Sequence, residues 1–232
     1  MKTSPSAARS DTLREYAAKV VAFLVLGAII YFQVGMVRFR LATLALAKER
    51  AIAGLVSDGS LALYAASVLL IYVLRRPARL RAKGILPRLV ATLAPLVMPI
   101  SLFFARPLPG VVRLYVGAVL CTLGHLLSIV VLAWLGRSFS VMPEARTLVT
   151  SGPYRLVRHP LYAAEAISII GLLTLRFAPV SCAGFVVFCV LQWTRIRYEE
   201  QVLAKAFEEY RAYAARTPML FPWPRRAAQD GV

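Results

Sequence analysis

The sequence predicts an all-α integral membrane protein: about six transmembrane helices, with a C-terminal amphipathic cytoplasmic helix. Three observations lead there. Hydrophobic residues make up 59% of the chain and mean hydropathy is +0.66, above the roughly 45–50% apolar share of soluble domains. They are gathered in runs, several approaching or passing the about 18 residues of a membrane span. Beyond Trp193 the runs give way to charged helix formers.

The elements follow in order. Apolar segments cover about residues 18–37, 60–74, 85–104, 110–135, 160–175 and 177–193. The first follows the polar stretch "MKTSPSAARSDTLREYAAKV", with no clear small-residue cleavage site after it, so it reads as a retained span and not a signal peptide. The second is short for a straight crossing. The third carries Pro87, Pro95 and Pro99, which predict a kink. The fourth holds His125, read as a packing residue with its polar atoms satisfied. Only "LRFAP" separates the fifth from the sixth, which predicts a tight helical hairpin. After Trp193, Tyr198, Val202, Leu203, Ala206, Phe207 and Tyr210 share one face at helical spacing. They extend the sixth helix as an amphipathic arm ending at Pro218, with Trp223 of "MLFPWP" suited to the membrane interface.

Charge gives an orientation. The formal net charge is +17. No nucleic-acid motif accompanies it, so loops facing anionic headgroups are the better reading and nucleic acid is set aside. The N-terminus, 75–88, 136–160 and 194–232 hold 21 of the 28 Lys+Arg. The positive-inside rule therefore places both termini, "RRPARLRAK" and the 136–160 stretch in the cytoplasm. Cys121, Cys182 and Cys189 lie within apolar runs without metal-ligand spacing; they read as small buried hydrophobes, with neither disulfide nor metal site expected.

Two polar clusters bracket the expected hairpin. "TLVTSGPYRLVRHPLY" contains a Ser-Gly-Pro turn, and Pro160 suits the first position of a helix. A helix start offers unpaired N–H groups and a positive dipole end, which would receive an anionic group. The alternative is an interfacial loop of phosphate-touching arginines and belt tyrosines. In "RIRYEEQ", Arg195 and Glu199 share a face at i,i+4. They are either a solvated ion pair or a site: the carboxylate for a cation or a ribose diol, the arginine for a substrate carboxylate. Glu165, one turn into the fifth helix, is an intramembrane acid, and so either functional, or snorkelling or paired with a loop arginine. Antiparallel helices would bring both clusters to one face.

"LVTSGPYRLVRHPLY", a hydrophobic hairpin and "RIRYEEQVL…EEYRAYAARTP" together resemble the isoprenylcysteine carboxyl methyltransferase family, to which phospholipid N-methyltransferases are more distantly related. The likeness covers about 134–224, making 1–133 a transmembrane scaffold and 134–232 a methyltransferase core within one structural domain. It implies an S-adenosylmethionine-dependent methyltransferase at the cytoplasmic membrane face. It also implies cofactor contacts from Arg146, Thr147, Leu148, Val149, Tyr154, His159, Pro160, Leu161, Tyr162 and Glu199, with Arg195 facing a substrate carboxylate. Arg158 belongs to the motif without an assigned role. The chain departs from the family in carrying Ala163-Ala164 after the motif tyrosine, no glycine in "AFEEY", and "RTP" for the commoner "RVP".

The expected acceptor is a lipophilic carboxylate, of isoprenylcysteine or lipid type, entering from the bilayer; membrane lipids are partners and the oligomeric state is open. Catalysis falls to Arg195, with Glu165 or Glu200 a candidate base if the acceptor is instead a lipid amine. A non-enzymatic membrane scaffold and, more remotely, a membrane reductase stand as readings from other classes.

Overall fold

The computed structural model describes residues 5–45, 48–106 and 108–222; Trp223 falls outside them. Six long helices carry the apolar runs: α1 (Pro5–Ala42), α2 (Lys48–Leu74), α3 (Leu86–Phe103), α4 (Val111–Leu135), α5 (Pro160–Leu175) and α6 (Pro179–Ala206). A short α7 (Tyr210–Arg216) follows. Five of the long helices are apolar and long enough to cross a membrane. Large apolar side chains cover the outside of the bundle, Phe32, Leu70, Phe103, Val112 and Val186 among them. In water such a surface would aggregate; against lipid tails it is the expected finish.

Several expectations change. α2 is not a short segment over 60–74. It begins at Lys48 and is 27 residues long, because "KERAIAGLVSDGS" continues the helix despite its charges. Asp58, within that stretch, is paired with Arg40 of α1. Pro87 does not kink α3: it sits in the first turn, where its missing N–H costs nothing, and only Pro95 and Pro99 are interior. The amphipathic arm is not one helix to Pro218. α6 ends at Ala206, Phe207 is extended (φ −135°, ψ 118°), and α7 starts at Tyr210. The break turns Phe207, Tyr210 and Tyr213 into a cluster with Ala145 and Val202. Cys121 is buried, but Cys182 is only half-buried and Cys189 is exposed on the apolar outer face of α6.

The expected tight hairpin is also different. α5 runs along α4, and α6 runs along α3, while α5 and α6 approach each other closely at few backbone positions. Met98 and Leu102 of α3 pack with Ile169 of α5 and Phe188 of α6, joining the two arms. Small residues explain the pairing. Gly117, Cys121 and Gly124 recur at i, i+4 and i+7 on α4, opposite Ser168 and Gly171 on α5. A Cβ on Gly124 would overlap Ser168, and one on Gly171 would lie 2.7 Å from the Cys121 nitrogen. In lipid, with no hydrophobic drive between helices, such close backbone approach is what holds them together. Gly184 of α6 meets Ser101 of α3 in the same way.

α5 has 16 residues, about 24 Å at 1.5 Å per residue, short of a hydrocarbon core of about 30 Å. Its end is tied down: Arg176 donates from Nη1 to the carbonyls of Leu102 and Ala105, 3.2 Å each, which caps α3. His125 is the satisfied packing residue anticipated, with Nδ1 2.9 Å from Ser60 Oγ and its ring stacked on Tyr64.

At the end of the bundle where α2, α4 and α6 leave their apolar runs, a two-residue ribbon forms. β1 (Leu80–Arg81) pairs antiparallel with β2 (Glu144–Ala145), Leu80 opposite Ala145 and Arg81 opposite Glu144. This small ribbon joins the loop after α2 to the loop before α5.

Candidate functional site

The motif Arg158-His159-Pro160 is fixed from an unexpected side. The backbone N–H of Arg158 donates to the Pro218 carbonyl (2.8 Å) and that of His159 to Met219 (3.0 Å). Pro160, which has no N–H, opens α5. The helix start therefore presents fewer free donors than its sequence suggests, because the C-terminal segment has taken two. Tyr213 of α7 completes the clasp, its hydroxyl donating to the Tyr154 carbonyl at 2.7 Å.

The two polar clusters do meet. Tyr162 of α5 donates from its hydroxyl to Glu199 of α6. Arg195 approaches Glu199 through Nε at 3.3 Å, and its guanidinium carbon lies 5.0 Å from the centre of the Tyr162 ring. His159 Nε2 is 3.2 Å from Glu200 Oε1, and Arg158 Nη1 is 3.1 Å from the same oxygen. Arg195 and His159 are buried. Each charge has a partner of opposite sign, which is the condition for holding ions at a membrane boundary.

These groups, Glu200 excepted, line an open-sided cavity. Of the residues singled out in the sequence, Arg146, Thr147, Leu148, Val149, Tyr154, His159, Leu161, Tyr162, Arg195 and Glu199 are in its wall; Pro160 and Glu165 are not. Arg146 turns its side chain to Glu144, Nη2 to Oε2 at 2.6 Å. Glu144 also pairs with Arg81 (3.2 Å) and accepts from Ser140 (2.8 Å). Tyr154, Tyr210 and Tyr213 are held neutral: burial, first of all, pushes each hydroxyl up, Tyr213 to about 12.

Glu165 lies one helical turn deeper than Tyr162. Its Oε1 accepts from Tyr64 Oη of α2 at 2.8 Å, and Gln192 Nε2 of α6 lies 3.4 Å from its Oε2. The pairing with a loop arginine did not materialise; helix α2 supplied the partner instead.

The donor set suits a ligand that carries charges of both signs. The Glu199 carboxylate faces the cavity as an acceptor. Arg158 stands in the same wall, with its Nε buried and without a hydrogen-bond partner among the described residues. Among the described residues no group of three or more His, Cys, Asp or Glu is arranged to hold a metal ion.

Sequence reasoning missed Glu144, Tyr64, Gln192 and Tyr213. Glu144 had a signal, as the sole acid between Asp58 and Glu165. Tyr64 and Gln192 had only their polarity within apolar runs.

Comparison with known proteins gives matches over the same region. A family model described as phospholipid methyltransferase matches residues 112–210. The cobalt-zinc-cadmium resistance protein CzcN of Cupriavidus metallidurans is 41% identical over 114 residues, 47% of this chain and 51% of the relative. The nickel-cobalt-cadmium resistance protein NccN of Alcaligenes xylosoxydans xylosoxydans is 32% identical over 146 residues, 53% of this chain and 68% of the relative. Protein-S-isoprenylcysteine O-methyltransferase B of Arabidopsis thaliana is 32% identical over 117 residues, 46% of this chain and 58% of the relative. The chain thus spans about half the length of CzcN.

Proposed function

We propose that this chain, which belongs to the isoprenylcysteine carboxyl methyltransferase family together with its phospholipid methyltransferase relatives, is an S-adenosylmethionine-dependent methyltransferase. It acts at the cytoplasmic membrane face, with both termini on that side, on the carboxylate of a lipid-like or isoprenylcysteine-type acceptor. One observation carries the reading: Tyr162, Arg195 and Glu199, from two separate helices, converge on a single cavity.

S-adenosylmethionine supplies a methyl group on a sulfonium, reactive toward a nucleophile in line with the breaking carbon–sulfur bond. The protein supplies position. Glu199, with Tyr162 and His159 beside it, would hold the cofactor's donor groups; Tyr154, Leu161 and the Arg146–Val149 stretch line the same cavity. Arg195 orients the acceptor carboxylate as a planar two-pronged donor. A carboxylate is already ionised near neutral pH, so no strong base is needed. Fixing the two reactants in the attack geometry can account for several kcal/mol, up to about 7–11. The acceptor's apolar chain stays in the bilayer.

Calorimetric titration of S-adenosylmethionine into the purified protein, beside Glu199→Ala, tests this. Binding by the wild type that the variant loses is expected, followed by labelled-methyl transfer into base-labile esters of lipid extracts. No binding by folded wild type sinks the proposal. A second reading, methylation of a lipid amine, is favoured by the phospholipid methyltransferase match; base-stable methyl products would select it.

A further inference from the structure

The loop between α2 and α3 is basic, and it is stitched into the wall of the cavity. Arg76, Arg79, Arg81 and Lys83 fall close together, and no acidic residue lies between Asp58 and Glu144 in the sequence. Arg76, Arg79 and Lys83 are exposed, with no acidic partner among the described residues. Three observations separate this loop from an ordinary solvated one.

The first is depth. Val73 and Leu74 before the cations, and Ile85 and Leu86 after them, are exposed apolar side chains. Apolar side chains facing lipid on both sides of a run of cations place those cations at the headgroup plane. The second is attachment. The N–H of Arg76 donates to the Arg137 carbonyl (2.9 Å), that of Arg79 to Ala145 (2.7 Å) and that of Ala82 to Pro143 (3.0 Å), around the β1–β2 ladder. Leu80 and Ala82 pack on the cluster of Ala145, Phe207 and Tyr210. The Arg79 guanidinium lies 5.7 Å from the centre of the Phe207 ring. The third is a charge link. Arg81 reaches one oxygen of Glu144 at 3.2 Å; the other oxygen holds Arg146 (2.6 Å) and Ser140 (2.8 Å). Glu144, Arg146 and Ser140 all line the cavity.

The geometry points to a site for the headgroup of an anionic phospholipid on this loop, with Arg79 and Lys83 as donors beside the Arg81–Glu144 pair, which firms the cavity wall when occupied. Like charges crowded into one loop repel one another, and a ladder of two residue pairs is marginal by itself. A phosphate among the cations offsets that repulsion and holds the ribbon closed. Glu144 then keeps Arg146 and Ser140 in place in the wall. Arginine suits a phosphate as a planar fork and lysine as a point charge. A zwitterionic headgroup brings its own ammonium and supplies no net charge to the loop. The lipid site stands apart from the cofactor assignment above; a tighter hold on S-adenosylmethionine in anionic lipid rests on it.

The test uses the full chain. Native mass spectrometry reads the preference for phosphatidylglycerol over phosphatidylcholine; hydrogen exchange reads residues 144–149 in nanodiscs of phosphatidylcholine with and without phosphatidylglycerol. The wild type should prefer phosphatidylglycerol, and Arg79→Gln/Lys83→Gln should lose that preference by about tenfold or more, at about fivefold per cation. Arg211→Gln/Arg216→Gln, which removes two exposed cations from α7 at the same end of the bundle, should keep it. Phosphatidylglycerol should slow exchange over 144–149 in the wild type and not in the loop variant. Glu144→Gln should still prefer the lipid but lose the slowing. If the double variant does not fold, Lys83→Gln alone should lose about fivefold. No preference in the wild type, or an equal loss in the α7 variant, overturns the site. Preference without slowed exchange overturns its link to the cavity, as does equal affinity for S-adenosylmethionine in the two nanodiscs. Wild type that prefers the lipid and slows exchange, yet binds no cofactor in either nanodisc, overturns the cofactor assignment alone.

Discussion

The two halves of this protein treat charge differently. In α1 and α2, Arg40 of one helix pairs one-to-one with Asp58 of the next, and the contact joins two neighbouring helices. From α4 onward charges are shared. Glu144 holds Arg81, Arg146 and Ser140; Glu199 holds Tyr162 and Arg195; Glu200 holds Arg158 and His159. An isolated pair supports a fold. A set of shared pairs leaves valences that a ligand can complete, and it is there that the cavity opens. The halves are not separable, however. Tyr64 of α2 reaches Glu165, and Val68 and Tyr72 of α2 pack with Tyr154 and Leu161.

The largest effect that would sharpen this contrast is on turnover. Arg195→Ala should lower kcat/KM for a carboxylate acceptor about a hundredfold or more, with cofactor binding retained by calorimetry. Arg40→Ala, which breaks the N-terminal pair, should lower thermal stability and leave the turnover of folded protein intact. Equal loss of turnover in both would break the comparison.

Next comes packing. Gly124→Leu drives a side chain into Ser168 across the α4–α5 seam and should cost about 1–3 kcal/mol or more, seen as a lower Tm in detergent. Gly27→Ala, on α1 with nothing within 4 Å of the new methyl, should stay within about 0.5 kcal/mol of wild type. A smaller effect is expected from Tyr213→Phe. Losing its bond to the Tyr154 carbonyl should cost about 1 kcal/mol, and the loop bearing Tyr154 should exchange its amides faster.

Much of this was legible beforehand. Trp193, the proline-rich third run and "LRFAP" mark the apolar segments, the second excepted, to within a few residues, because hydropathy is a local property. The RHP–Tyr stretch and the paired acids Glu199 and Glu200 stand out because unpaired charge at a membrane boundary is costly and so calls for an explanation. The length of α2 was misjudged because Asp58 reads as a break until its partner, Arg40, is known. The arm after Trp193 looked continuous because helical periodicity does not register that Phe207 leaves the helix to fill a cluster.

By itself, then, the sequence determined the helical membrane class, the rough spans and the two clusters that meet at the cavity. Tertiary structure alone decided which helices pair. In lipid one apolar face is as good as another, so hydropathy cannot choose partners; the choice fell to backbone approach at Gly117, Gly124, Gly171 and Gly184. It also decided that Tyr64 would stand beneath Glu165, 101 residues away, and that the carbonyls of Pro218 and Met219 would occupy the helix start. Hydrogen bonds of that span depend on where packing delivers two distant segments, and nothing local to either segment encodes it.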